Sequence, residues 1–233
     1  MNDALDRIAA IAPSAVLVCA YGALVREPLL SDYEILNVHP SLVPRWRGAA
    51  PIERALMAGD EETGVSIIRL TAELDSGPIY VQAAEPIAPE DTYGTLAPRL
   101  ARLGGRLLLE TLEDPPPLTP QPEDGITYAE KIAPTDRMLD PARTPAELAR
   151  VVRALDPHIG ARIGELRVLA ARPAPDPDPA AEDPGEPPPP GTLAAHHGRL
   201  VFGAAGGALE LLRVQPAGGR PMEAADYLRG HAL

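Results

Sequence analysis

Apolar runs alternate with helix-like segments along the first half of the chain. Continuous apolar runs are typical of strands buried on both faces, and they occur at 15–20, 35–38, 64–70 and 78–83. Apolar positions at helical spacing predict helices over 3–11, 52–58 and 93–113, although Gly104 and Gly105 weaken the last of these. Because strands alternate with helices, the pattern predicts an α/β fold with a mainly parallel sheet.

The second half of the chain has a different pattern. A helix is predicted over 145–155, since Thr144, Pro145 and Glu147 supply an N-cap, a first-turn proline and a capping box. Short β-like runs punctuated by glycines follow at 162–169, 192–194, 199–203 and 208–214. They predict a small β-barrel or β-rich second domain.

Proline-rich segments indicate the domain boundaries. Residues 114–126 are typical of a linker. We predict a first domain over 1–118, a linker over 119–136 and a second domain over 137–233. The acidic, proline-rich segment 173–190 is expected to be a disordered surface insert.

Composition limits the classes of function. The formal net charge is −12, which excludes a surface covered in basic patches but leaves room for a local nucleic-acid site. Arg199, Arg213 and Arg220 are either part of such a patch or scattered solvated residues. Cys19 is the single cysteine, so no internal disulfide can form, which suits a reducing cytoplasm. The acidic N-terminus is unlike a signal peptide, and no apolar run is long enough to span a membrane.

Candidate chemistry is concentrated at Asn37, His39 and Asp75. Asn37 and His39 are two positions apart at the end of a predicted strand, so their side chains share one face. Both can donate to an oxyanion. Asp75 follows another strand and is a natural partner that would orient the imidazole. The set predicts acyl transfer from a carbonyl donor to an amine without a covalent enzyme intermediate. The alternative is an ordinary turn with a histidine whose hydrogen bonds are met within the protein.

Two arginines and four further histidines are the other candidates for binding roles. Arg45 and Arg47 flank Trp46 in a proline-containing loop, where they either grip an anionic substrate or form a solvated loop. A metal site is not expected, because the remaining histidines lie far along the chain in the predicted second domain. They are His158, His196, His197 and His231.

A long motif gives the chain a family resemblance. The run L-N-V-H-P-S-L-V-P-R-W-R-G-A-A-P-I, followed by E-L-D-S-G-P-I, resembles the methionyl-tRNA formyltransferases, and the resemblance continues through I-T-Y-A-E-K-I and L-R-V-Q-P-A-G. It implies a Rossmann-like formyltransferase domain followed by an OB-like β-barrel that helps to hold tRNA. The implied reaction moves a formyl group from 10-formyltetrahydrofolate to the α-amine of methionyl-initiator tRNA, for translation initiation.

The resemblance also implies roles for individual residues. It assigns catalysis to Asn37, His39 and Asp75, and contact with the acceptor end of tRNA to Arg45, Trp46 and Arg47. The residues matched to the folate pocket are Ala23, Leu24, Val25, Ser41, Leu42, Pro44, Thr71, Glu73 and Leu74. We also expect a cytoplasmic monomer that needs no metal.

Two departures from the family pattern leave alternatives open. Pro40 after His39 is more similar to the glycinamide ribonucleotide formyltransferases. We also expect the family's opening strands and helices to have no counterpart before Met1, which makes the first domain partial and exposes a sheet edge. The alternatives are formylation of a small amine, such as a nucleotide or an amino sugar, and an inactive truncated fragment that binds tRNA.

Overall fold

Two compact units make up the part of the chain that the structure describes. The structure is a computed structural model that describes residues 2–21, 25–175 and 186–231. The first unit comprises Met1–Ala55, Glu61–Ala88 and Leu96–Lys131, and the second comprises Leu56–Asp60, Pro89–Thr95 and Ile132–Leu233. Most of the predicted linker, residues 119–131, therefore belongs with the first unit.

The elements up to residue 131 follow the predicted alternation. The helices are α1 (Asn2–Ile11), α2 (Leu29–Asp32), α3 (Pro51–Ala58) and α4 (Tyr93–Glu113). The strands are β1 (Val16–Cys19), β2 (Ile35–His39), β3 (Arg47–Gly48), β4 (Glu62–Arg69), β5 (Ile79–Pro86) and β6 (Tyr128–Ala129). No helix of the described ranges has the length and apolar character needed to cross a bilayer.

The main sheet of the first unit has the strand order β1-β2-β4-β5. Strands β1 and β2 pair in parallel, which fits the predicted Rossmann-like α/β class. Strands β4 and β5 are antiparallel to each other, and β4 is antiparallel to β2. Since β4 and β5 are joined by a loop that contains no helix, they lack the crossover that a parallel pair requires. The sheet is therefore mixed, and its β1 end leaves Leu17 47% exposed.

Helix α4 covers this sheet without a break. Its buried leucines recur at helical spacing, at Leu96, Leu100, Leu103 and Leu107. Gly104 does not interrupt the helix. A Cβ at this position would lie 2.8 Å from Cγ1 of Val38. The glycine thus permits close approach of the helix to β2.

The second unit is an antiparallel sheet with helices packed on it. Its helices are α5 (Pro145–Leu155) and α6 (Ala224–Gly230), with a 3₁₀ turn at Pro134–Arg137. Its strands are β7 (Ala161–Ile163), β8 (Leu166–Pro173), β9 (Leu193–His196), β10 (Arg199–Ala204), β11 (Gly207–Gln215) and β12 (Met222–Glu223). Within the described residues the order is β7-β8-β11-β10-β9, with β12 on β11. This agrees with the predicted β-rich domain.

Two predictions for this unit needed correction. The run 162–169 is not one strand but the turn of a hairpin, because Gly164 adopts a left-handed φ of 54°. The predicted insert 173–190 lies partly outside the described residues, at 176–185. Its flanks are packed. The Ala174 N–H donates to the Ala208 carbonyl over 2.9 Å, and the Pro189 carbonyl oxygen occupies the space that a Cβ on Gly203 would need.

Candidate active site

Strand β2 carries the first two polar side chains of the site. Asn37 and His39 lie on the same face, two residues apart, and are 8% and 4% exposed. Apolar neighbours on the strand fix its register against β4, where Asn37 is opposite Ile68 and His39 is opposite Ser66. Two buried polar groups therefore stand at one end of a rigid strand, where they need polar partners.

Asp75 supplies those partners from the loop between β4 and β5. Its Oδ1 accepts a hydrogen bond from Nδ2 of Asn37 over 3.0 Å, and its Oδ2 accepts one from the Gly48 N–H over 2.9 Å. The same Oδ2 lies 3.7 Å from Nδ1 of His39. The structure thus brings together the three residues that the sequence singled out, while their catalytic roles stay predictions.

The imidazole of His39 is oriented by a backbone carbonyl. Its Nε2 lies 2.9 Å from the carbonyl oxygen of Trp46, and because a carbonyl can only accept, Nε2 carries the proton. In the neutral ring, Nδ1 therefore presents a lone pair on the side of Asp75. Nδ1 can accept a proton there, and the imidazolium that results would face a carboxylate.

Asn37 keeps a second donor after its bond to Asp75. A primary amide has two N–H groups, and the contact with Oδ1 uses one of them. The other can donate to an oxygen that gains negative charge next to the strand. An anchored amide of this kind is suited to stabilise an oxyanion, because it is oriented before the reaction begins.

The loop that contributes Trp46 and Gly48 is held by a distant part of the chain. Short strand β3 pairs in parallel with β6, so that Arg47 lies opposite Tyr128. Thr127 accepts from the Trp46 N–H through its hydroxyl and from the Arg47 N–H through its carbonyl, both over 2.9 Å. Gly48 has a φ of 125°, and a Cβ there would lie 2.7 Å from the Ala129 carbonyl oxygen. Only glycine fits this approach.

The three residues predicted to contact tRNA differ in their exposure to solvent. The guanidinium of Arg45 lies 4.5 Å from the centroid of the Trp46 ring, which forms a stacked, partly exposed pair. Arg47 is only 8% exposed, and both its Nε and its Nη2 donate to Oε1 of Gln121, over 3.0 and 2.6 Å. The geometry therefore gives Arg47 a role inside the first unit and leaves Arg45 and Trp46 nearer the surface.

The residues predicted to line the folate pocket form two groups. Ser41 is fully buried and its hydroxyl donates to the Arg45 carbonyl over 2.6 Å, so it supports the loop. Leu42 packs against Gly64, and the Pro44 carbonyl accepts from the Thr127 N–H.

The second group is more accessible. Val25 and Thr71 are half-buried, Glu73 is exposed, and Leu74 is 51% exposed. The hydroxyls of Thr71 and Ser76 lie 3.2 Å apart at the base of the Asp75 loop. Ala23 and Leu24 lie outside the described residues.

Sequence reasoning did not identify Gln121 or Thr127. Both lie in the predicted linker 119–136. A single amide among prolines is no distinctive signal, and the pairing of β3 with β6 joins segments about eighty residues apart. The motif I-T-Y-A-E-K-I was the one available hint, since it contains Thr127.

Two further features bear on predicted ligands. In the ranges that the structure describes, no group of three His, Cys, Asp or Glu side chains could hold a metal ion. In the second unit, Arg199 lies 3.7 Å from Glu210, which also accepts from Arg172 over 2.9 Å. The positive charge of Arg199 is therefore partly balanced within the sheet.

Comparison with known families agrees with this fold. Residues 1–112 match the family described as formyl transferase, and residues 131–232 match the formyl transferase C-terminal domain. The chain is thus of the formyltransferase class. It shares 45% identity over 240 residues with the methionyl-tRNA formyltransferase of Halorhodospira halophila (strain DSM 244 / SL1), covering 98% of this chain and 74% of the relative. It shares 40% identity over 238 residues with that of Dechloromonas aromatica (strain RCB), covering 99% and 75%. The chain therefore belongs to the methionyl-tRNA formyltransferase family.

A solved structure supports the fold independently. The crystal structure of HypX from Aquifex aeolicus in complex with tetrahydrofolic acid superposes with a TM-score of 0.69 at 18% identity. The match covers 96% of this chain and 40% of that one. At this level of identity the likeness concerns the architecture of the chain.

Proposed function

We propose that this protein transfers a formyl group from 10-formyltetrahydrofolate to the α-amine of methionine carried by initiator tRNA. Family membership defines the reaction class, and the observation that carries the proposal is the contact of Asn37 and His39 with one carboxylate, that of Asp75. We place the reaction in the cytoplasm, with the protein acting as a monomer.

Each of the three side chains has a distinct task in the proposed reaction. The amine attacks the formyl carbon, and the formyl oxygen gains negative charge. The second N–H of Asn37 donates to that oxygen. Nδ1 of His39 accepts the proton that the amine loses, since Nε2 is already protonated on the Trp46 carbonyl. The Asp75 carboxylate stabilises the imidazolium, which can then return the proton to the departing folate nitrogen.

The surrounding loops would bind the two substrates. The half-buried Val25 and Thr71 and the exposed Glu73 and Leu74 would contact the folate, and the last three lie in the loop that carries Asp75. The Arg45–Trp46 pair is suited to the acceptor end of the tRNA, since a guanidinium stacked on an indole can bind phosphate while the ring contacts a base.

A direct assay tests this proposal against its alternatives. The purified chain would be supplied with 10-formyltetrahydrofolate and either charged initiator tRNA, methionine methyl ester, an amino-sugar nucleotide or a glycinamide-type nucleotide. We expect efficient formylation of the charged tRNA alone. Preferred formylation of a nucleotide or sugar amine would show that the substrate is a small amine and overturn the proposal. Salt-sensitive tRNA binding without turnover would support the alternative that the chain is an inactive fragment that binds tRNA.

The His39→Asn variant tests the assignment within the same assay. We expect it to retain the wild-type unfolding transition and to lose about 100- to 10,000-fold in kcat, the range of a general base. Turnover close to that of the wild type would remove His39 from the mechanism.

A further inference from the structure

Gln121 lies near the start of a segment that is fixed at both ends. We call residues 119–129 the strap. At one end, Thr119 and Ile79 exchange backbone hydrogen bonds of 2.8 and 2.9 Å. At the other end, Ala129 accepts from the N–H groups of Ala49 and Ala50. Between these anchors the residues 122–126 are exposed, whereas Gln121 is half-buried.

The carboxamide of Gln121 uses all of its hydrogen-bonding groups, its oxygen towards Arg47 and its NH₂ group towards the Asp75 loop. Its Oε1 accepts two bonds from the guanidinium of Arg47. Its Nε2 donates to the carbonyls of Asp75 and Gly77, over 2.8 and 2.7 Å. This pattern also fixes which end of the amide is oxygen, because Arg47 can only donate and carbonyls can only accept.

The carbonyls that Gln121 holds belong to a strained turn. Asp75 has a φ of 44°, the left-handed region that residues other than glycine seldom adopt. Two residues later, Gly77 has no room for a side chain, since a Cβ would lie 1.8 Å from the Arg69 carbonyl oxygen. A conformation of this kind persists only where the surroundings determine it, and two donors from one amide do so here.

Through Arg47, Gln121 also contacts the loop that contains Trp46 and Gly48. Arg47 neighbours Trp46, whose carbonyl orients His39, and Gly48, whose N–H binds Asp75. One side chain therefore connects the loop that holds the carboxylate with the loop that orients the imidazole.

We propose that Gln121 is a positioning residue for formyl transfer, which sets the placement of the Asp75 carboxylate relative to Asn37 and His39. This inference rests on the proposed function only for its kinetic consequence. Its structural content, that the carboxylate moves away from Asn37 when Gln121 loses its donors, can be measured without turnover.

The Gln121→Glu variant separates the two directions of contact. A glutamate keeps the acceptor for Arg47 and forms an ion pair with it, but it has no N–H for the Asp75 and Gly77 carbonyls. We expect kcat to fall about 10- to 100-fold, the effect of a misplaced catalytic group, with little change in the KM for tRNA. Gln121→Met, which removes both sets of bonds, serves as a second variant. Gln215→Leu is the matched control, since it removes a glutamine that bonds to the Gly219 carbonyl in the second unit.

A spectroscopic readout tests the positioning role by itself. The chain has only two asparagines and three glutamines, so a ¹⁵N-labelled sample gives five side-chain amide pairs. The Asn37 pair is assigned by its loss in Asn37→Ser. In Gln121→Glu we expect the Gln121 pair to vanish and the Asn37 pair to shift, because its bond to Asp75 Oδ1 changes. In Gln215→Leu the Asn37 pair should stay in place.

The outcomes distinguish the two proposals. An inactive wild-type chain with a shifted Asn37 signal in Gln121→Glu would overturn the proposed function and uphold the positioning role. An unshifted Asn37 signal, or an unchanged kcat in both Gln121→Glu and Gln121→Met, would overturn the positioning role. An equal fall in kcat in Gln215→Leu would do the same.

Discussion

The carboxylate of Asp75 accepts a hydrogen bond from the Asn37 amide at Oδ1 and one from the Gly48 N–H at Oδ2, and its Oδ2 also lies 3.7 Å from Nδ1 of His39. Sequence reasoning singled out this residue because it follows a strand of a sheet predicted to be mainly parallel, where ligands bind at the strand ends. In the structure, β4, the strand before it, is antiparallel to β2. Sequence reasoning could not foresee the left-handed backbone that aims the carboxylate, since nothing in the letters E-L-D-S-G requires it.

Replacing Asp75 with asparagine should therefore preserve the size of the side chain but remove its negative charge and one of its two acceptor oxygens. An amide has one acceptor oxygen, so either Asn37 or the Gly48 N–H would face an NH₂ group, and the imidazolium would lose its counter-charge. We expect kcat to fall about 100- to 10,000-fold. Steady-state kinetics and a thermal melt measure the two effects. Asp226→Asn, at an exposed position of α6, is the control and should keep kcat. A kcat near that of the wild type in Asp75→Asn would contradict the assignment.

A second residue makes a pH-dependent contribution to stability. Burial raises the pKa of Tyr80 from 10.0 to about 12, with further help from its hydrogen bond to Glu34 and the charge of that carboxylate. The folded state thus favours the neutral phenol. The stabilisation is complete below about pH 10 and is lost as the pH rises towards about 12.

We expect the free energy of unfolding of the wild type to fall more steeply above pH 10 than that of Tyr80→Phe, which has no hydroxyl to ionise. Urea titrations at successive pH values measure the difference. Tyr21→Phe, at a tyrosine that is 62% exposed, should reproduce the wild-type curve. Curves of equal slope for wild type and Tyr80→Phe would refute this account.

At the scale of the elements, the periodic patterns predicted most helices and strands but not their pairing. Helix α5 begins as expected, with the Thr144 side chain accepting from the Glu147 N–H. The antiparallel return of β4 was not predicted, because apolar runs carry no sign of direction. The pairing of β3 with β6 escaped for another reason, since each strand has only two residues.

Helix α4 offers a matched pair of adjacent glycines. A Cβ on Gly104 would lie 2.8 Å from Val38 and 3.4 Å from Val65, whereas a Cβ on Gly105 would meet nothing within 4 Å. We expect Gly105→Ala to stabilise the protein by about 0.5–1 kcal/mol, through helix propensity. Gly104→Ala should destabilise it by about 1–3 kcal/mol through overpacking. Chemical denaturation of the two variants gives both values, and effects of equal sign would show that the helix does not pack on β2 as described.

For the whole molecule, net charge and substrate charge have the same sign. A chain of net charge −12 that acts on tRNA must do so through local positive groups. The net charge is known from the sequence, but the sequence does not show which arginines are exposed, because the fold sets the exposure of each one. Arg47 is buried and Arg199 is near Glu210, whereas Arg45 is partly exposed on Trp46.

We therefore expect kcat/KM for charged tRNA to fall steeply between about 50 and 200 mM salt, while kcat at saturating tRNA changes little. Arg45→Ala should lower kcat/KM and reduce the slope of its logarithm against that of salt by about one. Initial rates over a salt series measure both. Arg229→Ala on α6 is the control and should keep the wild-type slope. A slope in Arg45→Ala equal to that of the wild type would exclude a phosphate contact there.

The pairing of Trp46 with Thr127 has a consequence for biosynthesis. These residues are 81 positions apart, so a nascent polypeptide that has emerged only as far as β5 contains Asn37, His39 and Asp75 but lacks the segment that supports them. Formation of the catalytic centre must wait until translation has passed residue 129 and that stretch has left the ribosome. Ribosome-bound chains stalled between β5 and this point should therefore be inactive, although β1, β2, β4 and β5 of the main sheet have been made.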